Sequence, residues 1–179
     1  MNFEQLFKQI SQEEIFEYGN IFTLVGKDFF AITAGKEDNY NSMIGSGGGF
    51  GLLFRKAVTW CVIRSDRYTL EMMEKERTYT LSYFPEEYRE QMLFLGSKSG
   101  RGSEKMKESE LTSIQTPSGN ISFEEAGLII ECLLTQITTP GIDDFCTQEA
   151  KDYIQEAYKQ ASDHRKYVFG EITHTWIRR

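Results

Sequence analysis

The chain has 179 residues, and 20 Lys and Arg against 27 Asp and Glu leave it a net charge of −7. That length fits one domain spanning residues 1–179, able to bury about 70% of its unfolded surface, enough for a core and an enclosed pocket. An acidic chain without a basic stripe argues against nucleic acid as a partner. With no apolar stretch of about 18 residues and no signal-like start, it reads as a soluble cytoplasmic protein with no membrane partner.

After an amphipathic start at Phe3, Leu6, Phe7 and Ile10, β-branched and alternating runs predict strands at residues 20–25, 29–33 and 40–44. The first two read as a hairpin across Gly26-Lys27-Asp28. The run from Gly45 to Gly51 is too glycine-dense for a regular element and reads as a loop, floppy or shaped around something. An apolar strand follows at 57–63, then a short helix at 68–75 on the spacing of Leu70 and Met73. Residues 78–84 return to strand alternation, with Tyr79, Leu81 and Tyr83 on one face and Thr80, Ser82 and Phe84 on the other. Pro85 opens a helix with Glu86 and Glu87 in its first turn, where carboxylates suit the helix dipole. A second short helix is predicted at 103–110, strands at 113–116 and 120–123, a long buried strand at 127–138, a helix at 148–159 and a closing strand at 166–177. About seven to nine strands with short helices and no βαβ rhythm predict a mainly β fold, a small antiparallel barrel with helices packed outside.

Two histidines, His164 and His174, form no His-x3-His or Cys/His cluster, so no metal site is expected. Cys61, Cys132 and Cys146 are widely spaced, lack a CxxC pair and read as reduced core residues. The chemistry concentrates between Gly96 and Lys105, Gly-Ser-Lys-Ser-Gly-Arg-Gly-Ser-Glu-Lys. Glycines admit a close anion, Ser97, Ser99 and Ser103 offer hydroxyls, and Lys98, Arg101 and Lys105 offer charge-assisted hydrogen bonds. The segment reads as either a phosphate cradle or a solvated loop. It is not a P-loop, because no Lys-Ser/Thr pair follows a Gly-x4-Gly unit.

Several segments carry one resemblance in order: Asn41-Ser42-Met43-Ile44, the glycine run, Arg64-Ser65-Asp66-Arg67-Tyr68-Thr69, Thr80-Leu81-Ser82-Tyr83-Phe84, Gly96-Ser97-Lys98-Ser99-Gly100-Arg101 with Lys105, and Asp163-His164 followed by Gly170-Glu171-Ile172. From about residue 20 to the C-terminus the chain resembles the flavin reductase-like, FMN-binding split-barrel family, in its flavoredoxin branch. The resemblance implies a Greek-key split β-barrel, a homodimer with FMN near the interface, and NAD(P)H as a possible electron donor. It places Asn41, Ser42, Met43, Ile44 and Ser46 at the flavin ring. Arg64, Ser65, Arg67, Tyr68 and Thr69 would lie near the ribityl chain and phosphate, Ser82 would line the pocket, and Lys98, Ser99, Arg101 and Lys105 would answer the phosphate. His164 would face the flavin or an incoming nicotinamide as the catalytic residue. The alternative for Arg64 and Arg67 is a surface ion pair with Asp66 or Glu71, and for His164 a strand-end structural role.

The family usually has Thr at Ile44 and Trp at Gly47, and Gly-Asp-His has become Ser162-Asp163-His164. The implied activity is transfer of electrons from NAD(P)H to flavin, or from bound FMN to a redox-protein or free-flavin acceptor. The alternative is an electron carrier that holds FMN without NAD(P)H turnover.

Overall fold

The computed structural model describes residues 2–27, 30–159 and 164–179. In chain order these form α1 (Phe3–Leu6), β1 (Phe7–Ile10), α2 (Ile15–Tyr18), β2 (Phe30–Lys36), β3 (Asn39–Gly45), β4 (Gly48–Leu53), β5 (Lys56–Arg64), α3 (Tyr68–Glu76) and β6 (Thr78–Tyr83). They continue with α4 (Arg89–Ser97), α5 (Lys105–Glu108), β7 (Ser113–Gln115), β8 (Ile121–Phe123), β9 (Leu128–Thr138), α6 (Gln148–Ala157) and β10 (Arg165–Arg178). Every ladder among them is antiparallel.

The main sheet runs in the order β3-β2-β6-β9-β10-β5-β4, with β1 on the second half of β10 and β7 and β8 paired apart. This order puts β3 and β4 at opposite edges, yet only Ser46 and Gly47 lie between them in the chain. Three Cα steps span at most about 11 Å, so the sheet must curl until its edges nearly meet. No ladder joins β3 to β4, and the result is an antiparallel β-barrel split between those two strands.

The curl encloses a core of Ile32, Cys61, Ile63, Tyr79, Leu81, Ile130, Cys132 and Val168, closed at one end by Leu70 and Met73 of α3. Outside, α4 and β8 cover the sheet through Met92, Leu95 and Phe123 against Ala31. The face of β6 expected to be polar is polar but dry. Thr80 Oγ1 donates to the Ile121 carbonyl at 2.7 Å and Ser82 Oγ meets Ser122 Oγ at 2.8 Å, so β8 is held to the sheet by hydroxyls as well as by the apolar contact of Phe123. Cys61 and Cys132 are buried and free, with burial pushing the Cys61 thiol up to about 12, whereas Cys146 is exposed.

Three expectations need correction. Residues 20–25 are helical rather than a strand: the Asn20 side chain accepts from the Phe22 N–H at 2.9 Å and its carbonyl accepts from Thr23 and Leu24, which winds the chain into a π-helical turn at Thr23–Lys27. The expected hairpin is therefore replaced by β2 and β3, turning at Glu37 and Asp38; Asp28 and Phe29 of the expected turn and strand lie outside the described residues. The glycine run contributes β4, a regular strand, because its neighbour requires small residues. A Cβ on Gly49 would lie 2.4 Å from the Trp60 ring and one on Gly48 2.0 Å from the Trp60 carbonyl oxygen.

Candidate functional site

Where the barrel splits, β3 is an edge strand, and α3 and the segment after α4 pack against it. β5 ends at Arg64, and the Ser65 N–H donates to the His164 carbonyl at 2.8 Å, which ties this turn to the start of β10. Arg67 then takes an extended conformation as the N-cap of α3, whose first turn has no side-chain cap. Its leading N–H groups and the positive end of its dipole suit an anion.

Asn41 joins β3 to this helix end, its Nδ2 donating to Thr69 Oγ1 at 2.7 Å. From the other side the end of α4 and the chain after it lie directly on β3. A Cβ on Gly96 would come within 2.5 Å of Ile44 Cγ2, and one on Gly100 within 1.8 Å of Asn41 Oδ1. Lys105 opens α5 and points inward, only 2% exposed, with its Nζ donating to the Ser42 carbonyl at 2.6 Å.

These elements enclose a hollow of about 100 Å³ lined by Asn41, Met43, Asp66, Arg67, Tyr68, Thr69, Lys98, Ser99, Gly100 and Lys105. Asn41, Tyr68, Gly100 and Lys105 also line a cavity of about 660 Å³ that continues past Tyr40, Met72, Met106 and Leu111. Two buried polar atoms at the hollow, Arg67 Nε and Asn41 Oδ1, have no hydrogen-bond partner among the described residues. Because the Thr69 hydroxyl can donate as well as accept, a half-turn of the Asn41 amide would present its NH₂ to the hollow instead. Burial and the neighbouring Arg67 charge push the Lys105 ammonium down to about 8. Two cations thus line a polar hollow whose one lining carboxylate, Asp66, is already paired with Arg64, and such an arrangement is satisfied by an anion.

The other expected cations are occupied. Arg64 makes a bidentate pair with Asp66, at 3.1 and 2.6 Å, which holds that carboxyl below its usual range. Lys98 donates to Glu108 at 2.7 Å, though its side chain still borders the hollow. Arg101 pairs with both carboxylate oxygens of Glu71 and lies 5.1 Å over the Tyr68 ring. The segment from Gly96 to Lys105 is therefore not one continuous cradle, since acidic neighbours take two of its three cations and only Lys105 is buried.

Ser42 turns its hydroxyl to Thr33 and offers the hollow only its carbonyl. Ile44 packs with the α4 cluster, Ser46 is exposed in the link to β4, and Ser82 is locked to Ser122, so these three do not line the hollow. Ser65 contributes a main-chain tie. His164 is exposed with its ring 4.7 Å from that of Tyr158, while Ser162 and Asp163 lie outside the described residues.

Gly100 was expected only as one of the glycines that admit a close anion, and its close approach is to Asn41 of β3. Tyr40, Met72, Met106 and Leu111 were not expected at the cavity, because their spacing marks them only as apolar packing. No helix among the described residues is long and apolar enough to cross a membrane.

Residues 56–179 match the model of the flavin reductase like domain. No curated protein matches in sequence. Among solved structures, an FMN-binding protein from Thermus thermophilus with bound p-hydroxybenzaldehyde superposes with a TM-score of 0.64 at 17% identity, covering 83% of this chain and 70% of that one. The flavoredoxin of Desulfovibrio vulgaris (Miyazaki F) gives 0.62 at 16%, covering 83% and 68%. An NADH:FAD oxidoreductase from Streptomyces globisporus C-1027 gives 0.62 at 10%, covering 85% and 78%.

Proposed function

Because this chain belongs to the flavin reductase like domain family, we propose that the hollow between β3, α3 and α5 holds the phosphate of FMN and that the protein is an FMN-dependent oxidoreductase. The observation that carries the reading is the pair formed by buried Lys105 and half-buried Arg67, facing a hollow with an unpartnered Arg67 Nε and with one lining carboxylate, Asp66, that is already paired with Arg64. A phosphate monoester, nearly dianionic at neutral pH, satisfies both. Arg67 Nε and Lys105 Nζ donate to it, the Asn41 amide and Thr69 hydroxyl can turn toward it, and the uncapped start of α3 adds main-chain donors. Charge-assisted hydrogen bonds of this kind contribute about 1.5–3 kcal/mol each.

Bound FMN would supply the ring that accepts hydride and passes electrons on. The main chain of edge strand β3 from Asn41 to Ile44, with Ser46 beyond it, would border that ring, and the exposed His164 would meet a nicotinamide arriving from solvent. In this reading two copies assemble around the split edge as a homodimer. Freshly purified protein should show oxidised-flavin absorbance or acquire it with added FMN. Anaerobic mixing of the loaded protein with NADH or NADPH should bleach that band, and no bleaching with either would remove the reductase activity.

One observation favours a second reading. Ile44 presents a methyl group to α4 where the family usually carries a hydroxyl, so no side chain there hydrogen-bonds to the ring edge. A carrier that holds FMN without nicotinamide turnover would be reduced reversibly by dithionite yet remain oxidised with NADH and NADPH.

A further inference from the structure

Lys105 is 2% exposed and its one acceptor among the described residues is the neutral Ser42 carbonyl at 2.6 Å. An ammonium in that position can offer three hydrogens. Across the hollow stands Arg67, a second cation, with its Nε unpartnered among the described residues.

The charged and titratable groups around Lys105 are otherwise engaged or elsewhere. From the turn before α3, Asp66 is held by Arg64. From α3, the Tyr68 ring lies beneath Arg101, whose guanidinium pairs with Glu71. From the end of α4, Lys98 is held by Glu108 of Lys105's own helix. Glu104 pairs with Lys107 at 2.6 Å. From the β2–β3 turn, Asp38 lines the larger cavity but not the hollow. Every carboxylate bordering the hollow already has its cation, and desolvation together with the Arg67 charge makes Lys105 a reluctant ammonium.

We propose that this seat is proton-linked: a phosphorylated ligand entering between Lys105 and Arg67 drives Lys105 from amine to ammonium, taking one proton from solvent. The proposal rests on the FMN reading of the hollow and adds how that site responds to pH. Only bonds to the proton change: water or buffer gives up one hydrogen as a proton, Nζ gains an N–H bond, and the anion stabilises the ammonium formed. In the free protein, burial and then the Arg67 charge push Lys105 down to about 8. Below about pH 7 it is already protonated and contributes no pH dependence. At pH 8 about half a proton is taken up per ligand bound, and between pH 7 and pH 9 affinity falls about tenfold. The phosphate's own second ionisation, near pH 6, acts in the opposite sense and on the acid side, so the two effects separate.

The test is calorimetric titration of the full chain with FMN between pH 7 and pH 9 in Hepes and in Tris, whose ionisation enthalpies differ. The expected result is a binding enthalpy at pH 8 that shifts between the two buffers by about half of that difference, with the tenfold loss of affinity by pH 9. Lys105→Arg, which cannot deprotonate in this range, and Lys105→Met, which carries no proton, should both bind with a flat profile and no buffer dependence. Wild-type binding that is flat from pH 7 to 9, or a slope retained in both variants, overturns the proposal while leaving FMN as the ligand. Failure of FMN to bind at any pH overturns the cofactor reading and this proposal together.

Discussion

Among the described residues, two charged side chains are almost wholly removed from water, and their surroundings are opposite. Glu131 on β9, 0% exposed, accepts from Thr116 Oγ1 at 2.8 Å, Asn120 Nδ2 at 2.6 Å and Trp176 Nε1 at 2.7 Å, with the His174 ring 3.9 Å away. Lys105, 2% exposed, has one main-chain acceptor and faces another cation. A buried charge caged by donors from three segments is architecture. It fixes the turn between β7 and β8 against β9 and β10, and so keeps β8 over the hydroxyls of β6. A buried charge left with spare donors beside a like charge is destabilising by itself, and persists where a ligand completes it.

Truncating Glu131 gives the largest expected effect. Glu131→Ala strands three buried donors at once, each worth about 1–3 kcal/mol when left unpaired, and should destabilise the protein by about 3–5 kcal/mol as read from urea unfolding. A loss below about 1 kcal/mol would show that water reaches the cage and would erase the contrast.

Lys105→Met should do the reverse in the free protein, removing an unfavourable charge and stabilising it by about 1–2 kcal/mol, while weakening FMN binding by about 1.5–3 kcal/mol. The sign with pH follows from a folded-state value near 8 against an ordinary lysine near 10.5. The unfolded chain binds more protons between those values, so wild-type stability should rise with pH from about 8 to about 10.5, and the Lys105→Met protein should lack that rise. Unfolding curves with equal pH dependence in both would place the charge in water rather than in the hollow.

The sequence made most of the barrel legible because its signals are local. Alternation marked β6, apolar runs marked β5 and β9, and Leu70 and Met73 marked α3. What failed depended on contacts across the fold: the glycines of β4 look like a loop until Trp60 is seen to cover them, and Asn20 winds a β-branched run into a helical turn through its own side chain. At the site, Arg67, Thr69 and Lys105 were each expected near the phosphate, whereas Asn41 was expected at the flavin ring. Which cations remain free was not visible, because Glu71 and Glu108 reach Arg101 and Lys98 only after folding.

The site's shape gives an intermediate effect. Gly100→Ala would place a methyl group 1.8 Å from Asn41 Oδ1, and Asn41 is itself braced by Thr69, so the strand and helix resist the shift. A loss of about 1–3 kcal/mol in stability or FMN affinity is expected, from overpacking against fixed groups. Wild-type values for both would mean that the segment after α4 stands off β3.

The smallest effect separates an exposed cation from a buried one a few residues away. Arg101 sits in the same basic segment as Lys105, but its guanidinium is shared between the Glu71 carboxylate and the Tyr68 ring at the surface. Exposed pairs of this kind contribute little and are screened by salt, so Arg101→Ala should leave FMN affinity within about threefold of wild type. Glu71→Gln frees the guanidinium without removing it, and if Arg101 then turned to the phosphate, affinity should rise at low salt and return to the wild-type value as salt is added. An Arg101→Ala loss equal to that of Lys105→Met would show that the arginine leaves Glu71 when FMN binds, and that exposure in the free protein is a poor guide to which cation the phosphate recruits.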